Sequence, residues 1–216
     1  MLSKKKKYLQ IALNSTLTQA HQIIRQLPKN DRIIIEAGTP LLKLEGASAI
    51  SHLKFWSSPD SYLVADYKAM DRGTAEVKIA AQAGARAITV LGQAPVETIN
   101  SLIQACRQHQ LDPIIDMMNV QKPYQILRKL TKLPLIVMLH RGVDETELGT
   151  TPFPIHLINK VKGSFDVLIS IGGGDTIRQV QSAFFNGADI VMLWKEFYSP
   201  QDNTSQIALD FLKQIK

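Results

Sequence analysis

The sequence predicts a single (β/α)8 barrel, on three observations. Eight short apolar runs recur along 216 residues. Segments with helical period separate most of them. No Pro-, Gly- or Ser-rich stretch reads as a linker. Eight strand–helix units in a chain of this length match a small closed barrel. A doubly wound open sheet is the structural alternative, and it shares one rule with the barrel: ligands gather at the carboxyl ends of the strands.

The elements follow in order. The first strand is YLQIAL (8–13), the second RIIIEA (32–37), the third YLVADY (62–67) and the fourth AITVLG (87–92). The fifth is PIIDMM (113–118), the sixth PLIVML (134–139), the seventh VLISIG (167–172) and the eighth DIVMLW (189–194). Several are nearly continuous Val, Ile and Leu, as expected where both faces of a strand are covered. AEVKIAAQAGA follows the third strand, VETINSLIQACRQHQ the fourth, TIRQVQSAFFNGA the seventh, and TSQIALDFLKQIK closes the chain. Asn186-Gly187 reads as a helix stop. RGVDETELGTTPFP (141–154) is the longest irregular piece, and long loops are more often functional than decorative.

Composition narrows the class. Hydrophobic residues are 45% and charged residues 20% of the chain, ordinary for a globular protein. No apolar run reaches the roughly 18 residues needed to span a bilayer, and the basic start lacks a signal-peptide core, so a cytoplasmic protein with no membrane partner is expected. Cys106 is the single cysteine, which fits a reducing compartment. It shares an apolar helical row with Ile99, Leu102 and Ile103 and reads as a buried thiol. The net charge is +6, but without Lys4–Lys7 the count is 21 basic against 19 acidic residues. Residues 1–7 therefore read as a basic, frayed tail and 8–216 as the barrel, and nucleic acid is not an expected partner.

Polar residues at the strand ends carry the chemistry. Asn14 ends the first strand. The second carries Glu36, the third Asp66 and Lys68 with Asp71 just beyond, and the fifth Asp116 with Asn119 beyond. The sixth ends in His140-Arg141, the seventh in Gly172-Gly173-Gly174 and the eighth in Trp194-Lys195. Side chains alternate along a strand, so Asp66 and Lys68 share the inward face. Two acids beside one lysine hold its ammonium charged, ready to stabilise an anion or deliver a proton. The structural alternative is an ion-pair network, which contributes poorly to stability when buried. Glu36 and Asp66, on adjacent strands, offer two hard oxygen donors suited to Mg²⁺. His140, the one histidine at a strand end, is the natural acid–base group near neutral pH. The glycine run of SIGGGDT (170–176) lets backbone N–H groups approach a phosphate. A purely conformational use of those glycines stays open.

These residues resemble a known family. VADYKAMDRG (64–73) contains the Asp-x-Lys-x-x-Asp signature of the orotidine-phosphate decarboxylase suprafamily. IEAGTPLLKLEG (35–46) is similar to the second-strand segment of 3-hexulose-6-phosphate synthases and 3-keto-L-gulonate-6-phosphate decarboxylases. LQIALN, ITVLG, IIDMMNV and the His140 segment follow in the same order, so the resemblance covers nearly the whole chain. TVLG and DMMNV look more like the synthase branch, and HRGVD mixes features of both. The resemblance implies a homodimer with sites at the interface and a Mg²⁺-stabilised enediolate made from a phosphorylated ketose. In the synthase, ribulose 5-phosphate is deprotonated and adds to formaldehyde. It further implies Glu36 and Asp66 as metal ligands, Lys68 at the enediolate oxygen, Asp71 reaching into a partner's site, and His140 as acid–base group. Asn14, Arg141, Gly172, Gly173, Gly174 and Lys195 would hold substrate and phosphate.

Three positions depart from the family pattern. Asn14 stands where an aspartate is usual. Trp194-Lys195 replaces a phosphate-gripping Gly-Arg, keeping the charge but losing the bidentate fork. GGGD replaces a GGI-type turn and places Asp175 near any phosphate. A decarboxylase using the same enediolate and a non-catalytic phosphosugar-binding barrel are the alternative functions.

Overall fold

A computed structural model of the chain describes residues 2–149, 152–173, 176–198 and 203–214. One strand forms at each apolar run. In chain order the elements are β1 (Tyr8–Leu13), α1 (Leu17–Gln26), β2 (Ile33–Ala37), α2 (Thr39–Glu45), α3 (Ser48–Trp56), β3 (Tyr62–Ala69), α4 (Gly73–Ala83), β4 (Ala87–Leu91), α5 (Val96–His109) and β5 (Asp112–Asp116). Then come α6 (Pro123–Leu127), β6 (Ile136–His140), α7 (Val143–Glu147), α8 (Ile158–Lys162), β7 (Leu168–Gly172), α9 (Ile177–Phe185), β8 (Ile190–Leu193) and α10 (Thr204–Gln214). Short 3-10 turns cover Pro154–Leu157 and Lys195–Tyr198. The eight strands pair in sequence order, all parallel, and β8 closes on β1. The open-sheet alternative is thereby set aside.

Local chemistry sets the ends of these elements. The Thr16 side chain accepts from the Gln19 N–H to start α1, and Thr176 does the same for Gln179 at α9. α9 stops at Asn186, and Gly187 follows with φ 96°. On α5 the buried face includes Ile99, Leu102, Ile103 and Cys106, as their spacing predicts. Burial pushes the Cys106 thiol up to about 12, so it is an inert thiol.

Alternation along the strands makes two apolar layers. One face of each strand packs against the helices. The other fills the barrel with residues such as Ile34, Val64, Ile114, Ile136, Met138, Leu168 and Ile190. Four buried polar residues, Glu36, Asp66, Thr89 and Asp116, sit at or beyond the midpoints of their strands. The interior therefore turns from apolar to polar toward the carboxyl ends.

Two segments differ from expectation. The stretch 141–154 is not irregular throughout: it contains α7. The Glu145 carboxylate accepts from the Gly142 N–H at 2.8 Å, the Thr146 hydroxyl donates to the Gly142 carbonyl at 2.8 Å, and two acids sit in the first turn. The basic start, expected to fray, forms a turn at the amino ends of the strands. Lys4 pairs with Asp166 at 2.6 Å, Lys6 with Asp31, and Lys7 with Asp189 at 2.9 Å. Asp189 also takes Lys162 at 2.7 Å and the Ile169 N–H at 2.9 Å. Carboxylates clustered at that end neutralise three of the four lysines.

Candidate active site

The polar residues meet in one cavity at the carboxyl ends of the strands. It measures about 300 Å³, at the small end of the usual range of roughly 300–1,000 Å³ for ligand pockets. Asn14, Glu36, Asp66, Lys68, His140, Arg141, Gly173, Trp194 and Lys195 all line it, with Thr39, Lys43 and Met192.

Lys68 lies at its centre. Its ammonium is 2.6 Å from Asp66 Oδ2 and 3.4 Å from Asp116 Oδ2. Burial alone would lower its pKa; Asp66, Asp116 and Glu36 outweigh that and raise it above the ordinary lysine value. The lysine is therefore held as a cation. The second acid at the ammonium is Asp116, not Asp71. Asp71 lies two residues past the end of β3 and is exposed. The left-handed Arg72 (φ 53°) turns the chain there into α4.

Asp66 is fixed from several sides. Its Oδ2 accepts from the Thr39 hydroxyl at 2.7 Å as well as from Lys68, and its Oδ1 accepts from the Thr89 hydroxyl at 2.7 Å. Glu36, fully enclosed, accepts from the Gln10 amide. Burial, and then the charge of Asp66, push the Glu36 carboxyl up to about 8. The negative charge of Asp66 disfavours ionisation of Glu36, and a cation beside both would relieve it. Among the described residues no group of three or more His, Cys, Asp or Glu side chains converges on a metal position. The chain would supply Glu36 and Asp66 alone, which fits an ion that keeps several waters.

His140 ends β6. Its Nδ1 lies 2.9 Å from Asp116 Oδ2. Burial opposes charge on both groups, but their mutual attraction wins: the His140 pKa rises and the Asp116 pKa falls. The imidazolium is thereby stabilised, with Nδ1 engaged by Asp116.

The remaining rim residues act through backbone as well as side chains. Arg141 Nη2 donates to the Gly173 carbonyl at 2.5 Å, and its guanidinium lies 5.6 Å from the centre of the Phe153 ring. Gly173 has φ 86°, and a Cβ there would stand 2.3 Å from the Arg141 carbonyl oxygen. Only glycine fits that turn. A Cβ on Gly172 would meet Met192 Cε at 2.6 Å and His140 Cδ2 at 3.3 Å. Gly174 and Asp175 lie outside the described residues. Lys195 is partly engaged, 3.7 Å from Glu147 Oε1. Asn14 packs over Gly38, where a Cβ would stand 1.8 Å from Asn14 Oδ1. The Asn14 N–H donates to Tyr198 Oη at 2.9 Å, and Tyr198 meets Trp194 edge-on at 6.3 Å. Two of the sites that depart from the family pattern are thus joined through Tyr198.

Sequence reasoning placed Asp116 at a strand end but gave it no role, and passed over Thr39, Thr89 and Gln10. Asp116 carried a signal in its terminal position and Thr39 in its AGTP segment. Thr89 and Gln10 read as ordinary strand residues.

A family model described as orotidine 5'-phosphate decarboxylase / HUMPS family matches residues 7–191. The bifunctional enzyme Fae/Hps of Methanoregula boonei is 36% identical over 209 residues, covering 96% of this chain and 52% of that protein. The chain spans about half the length of the curated relatives it matches. A crystal structure of 3-hexulose-6-phosphate synthase superimposes with a TM-score of 0.85 at 28% identity, over 97% of this chain and 100% of the other. The 3-hexulose-6-phosphate synthase of Salmonella typhimurium gives 0.82 at 29% identity, over 94% and 99%.

Proposed function

The chain belongs to the orotidine 5'-phosphate decarboxylase / HUMPS family, and on that premise we propose that it is a carbon–carbon lyase of 3-hexulose-6-phosphate synthase type. The observation that carries this reading is the convergence of Lys68, Asp66, Glu36, Asp116 and His140 on one cavity at the carboxyl ends of the strands. The likeness to two synthase structures over nearly the whole chain supports it.

In the proposed reaction ribulose 5-phosphate loses a proton beside its carbonyl, and the resulting enediolate attacks the carbon of formaldehyde. One C–C bond forms, the formaldehyde oxygen gains a proton, and 3-hexulose 6-phosphate results. Lys68, held charged in a largely enclosed site, faces the developing oxyanion, where a preorganised cation helps most. His140 exchanges protons through Nε2 while Asp116 fixes its ring. Glu36 and Asp66 would hold a divalent ion, Mg²⁺ by its taste for oxygen donors; when bound it supplies Lewis-acid polarisation of a substrate oxygen. Arg141, the backbone at Gly172 and Gly173, and Lys195 would grip phosphate, together with Gly174 by its place in the sequence, and Asn14 would meet the substrate hydroxyls. Asp71, exposed beyond β3, would enter the site of a second copy in a homodimer.

The test is a panel of phosphoketoses, incubated with and without formaldehyde and Mg²⁺ and read by mass spectrometry. Metal-dependent gain of one CH₂O on ribulose 5-phosphate is expected. Loss of CO₂ from a β-keto acid phosphate, with no formaldehyde addition, overturns the synthase reading in favour of a decarboxylase. Binding without turnover overturns both.

A further inference from the structure

We propose that Thr89 is a positioning residue that holds the β3 bulge and thereby aims Asp66 and Lys68 together; the proposal rests on the reading of those two residues as the working groups.

The bulge is visible in the register. Along β3 and β4, Val64 pairs with Ala87 and Ala65 with Ile88, but the next pair is Ala69 with Val90. Three residues of β3, Asp66, Tyr67 and Lys68, therefore stand against the single residue Thr89. Lys68 takes up the excess in a left-handed conformation, φ 47°, which is uncommon for a long side chain and persists where its surroundings hold it. Bulges of this kind re-aim side chains beside functional sites.

Thr89 meets both consequences with one oxygen. Its hydroxyl accepts from the Lys68 backbone N–H at 2.9 Å and donates to Asp66 Oδ1 at 2.7 Å. A hydroxyl is one donor with spare lone pairs, so the two bonds are compatible. Thr89 is fully buried, and water does not readily replace it. The amide that the bulge draws away from β4, and the carboxylate oxygen turned from Lys68, share this partner. With Oδ1 on Thr89, Oδ2 is left facing Thr39 and the ammonium. A valine has nearly the same shape but can make neither bond. A regular β3 would not place Lys68 as it stands.

Three variants test this: Thr89→Val, Thr89→Ser and, should the valine form fail to fold, Thr89→Ala. Two readouts are taken with thermal melting as the fold control: hydrogen exchange at the Lys68 amide, and kcat and KM for formaldehyde addition to ribulose 5-phosphate. Thr89→Val should speed exchange at Lys68 and lower kcat on the order of 10²-fold, the scale of a small misplacement of catalytic groups, with KM within a few-fold. Thr89→Ser should restore both. Exchange unchanged in Thr89→Val, or Thr89→Ser falling as far as the valine form, overturns the proposal. The exchange readout stands even if the wild type does not turn over these substrates, so failure of the functional reading and failure of this one are separable.

Discussion

His140 and Asp116 are held 2.9 Å apart, Nδ1 to Oδ2, by the terminal residues of two adjacent strands, and the same carboxylate oxygen reaches Lys68 at 3.4 Å. One buried acid thus serves both Lys68 and His140.

Asp116→Asn should lower the His140 pKa, because burial then acts without the compensating charge. In the wild type His140 titrates above its ordinary 6.5 and Asp116 below its ordinary 3.8. The raised His contributes stability that is complete below 6.5 and lost as pH rises through its folded value. The depressed Asp contributes stability that is present above 3.8 and lost as pH falls through its folded value. The pair therefore stabilises the fold most between those limits. NMR titration of the His140 ring and melting curves from pH 3 to 9 read both effects. An unmoved His140 titration would sink the pairing, and any pH–rate limb governed by His140 should move to lower pH.

Lys68→Ala should lower turnover by on the order of 10²- to 10³-fold, the cost of losing an oxyanion-stabilising group. Asp116 keeps its His140 partner in this variant, so thermal melting serves as the fold control. Near-normal kcat in this variant would make the lysine structural.

Chelator should abolish turnover, and Mg²⁺ should restore it. Titration calorimetry with Mg²⁺ gives a readout independent of activity: Glu36→Gln and Asp66→Asn should remove binding. Gln10→Ala, which strips the amide that orients Glu36, should weaken it by roughly 10- to 100-fold. Wild-type affinity in Glu36→Gln, or full activity in excess chelator, counts against a metal at this pair.

Lys195 is shared between Glu147 at 3.7 Å and the pocket. Exposed ion pairs of this kind are worth roughly 0–1 kcal/mol, so Glu147→Gln should tighten ribulose 5-phosphate binding by a few-fold, with the gain shrinking in high salt. Replacing Trp194-Lys195 by Gly-Arg should tighten it further by restoring a bidentate grip. If neither change alters phosphosugar affinity, phosphate is held elsewhere on the rim.

Much of this protein was legible along the chain. The eight strands begin and end within two residues of the apolar runs, and the strand-end residues Glu36, Asp66, Lys68 and His140 meet in one cavity. The ion pairs of the basic start were not legible because Asp31, Asp166 and Asp189, its partners, are distant in sequence. Asp71 stands three positions beyond Lys68 in the sequence, yet the ammonium is met within its own chain by Asp66 and Asp116, and Asp71 is exposed.

What the sequence by itself determined was the order of elements and the face on which each side chain of a regular strand or helix falls. Periods of two and of roughly 3.6 residues are local properties of backbone geometry, written in every apolar run. What the tertiary structure alone decided was which polar groups touch. Asp116 reaches Lys68 across 48 positions and Thr89 reaches Asp66 across 23, because closing eight strands into a ring converts separate strand ends into one rim. The bulge that aims Lys68 likewise belongs to neither strand alone. It arises from the mismatch between β3 and β4 once they are paired, and one buried hydroxyl fills the gap.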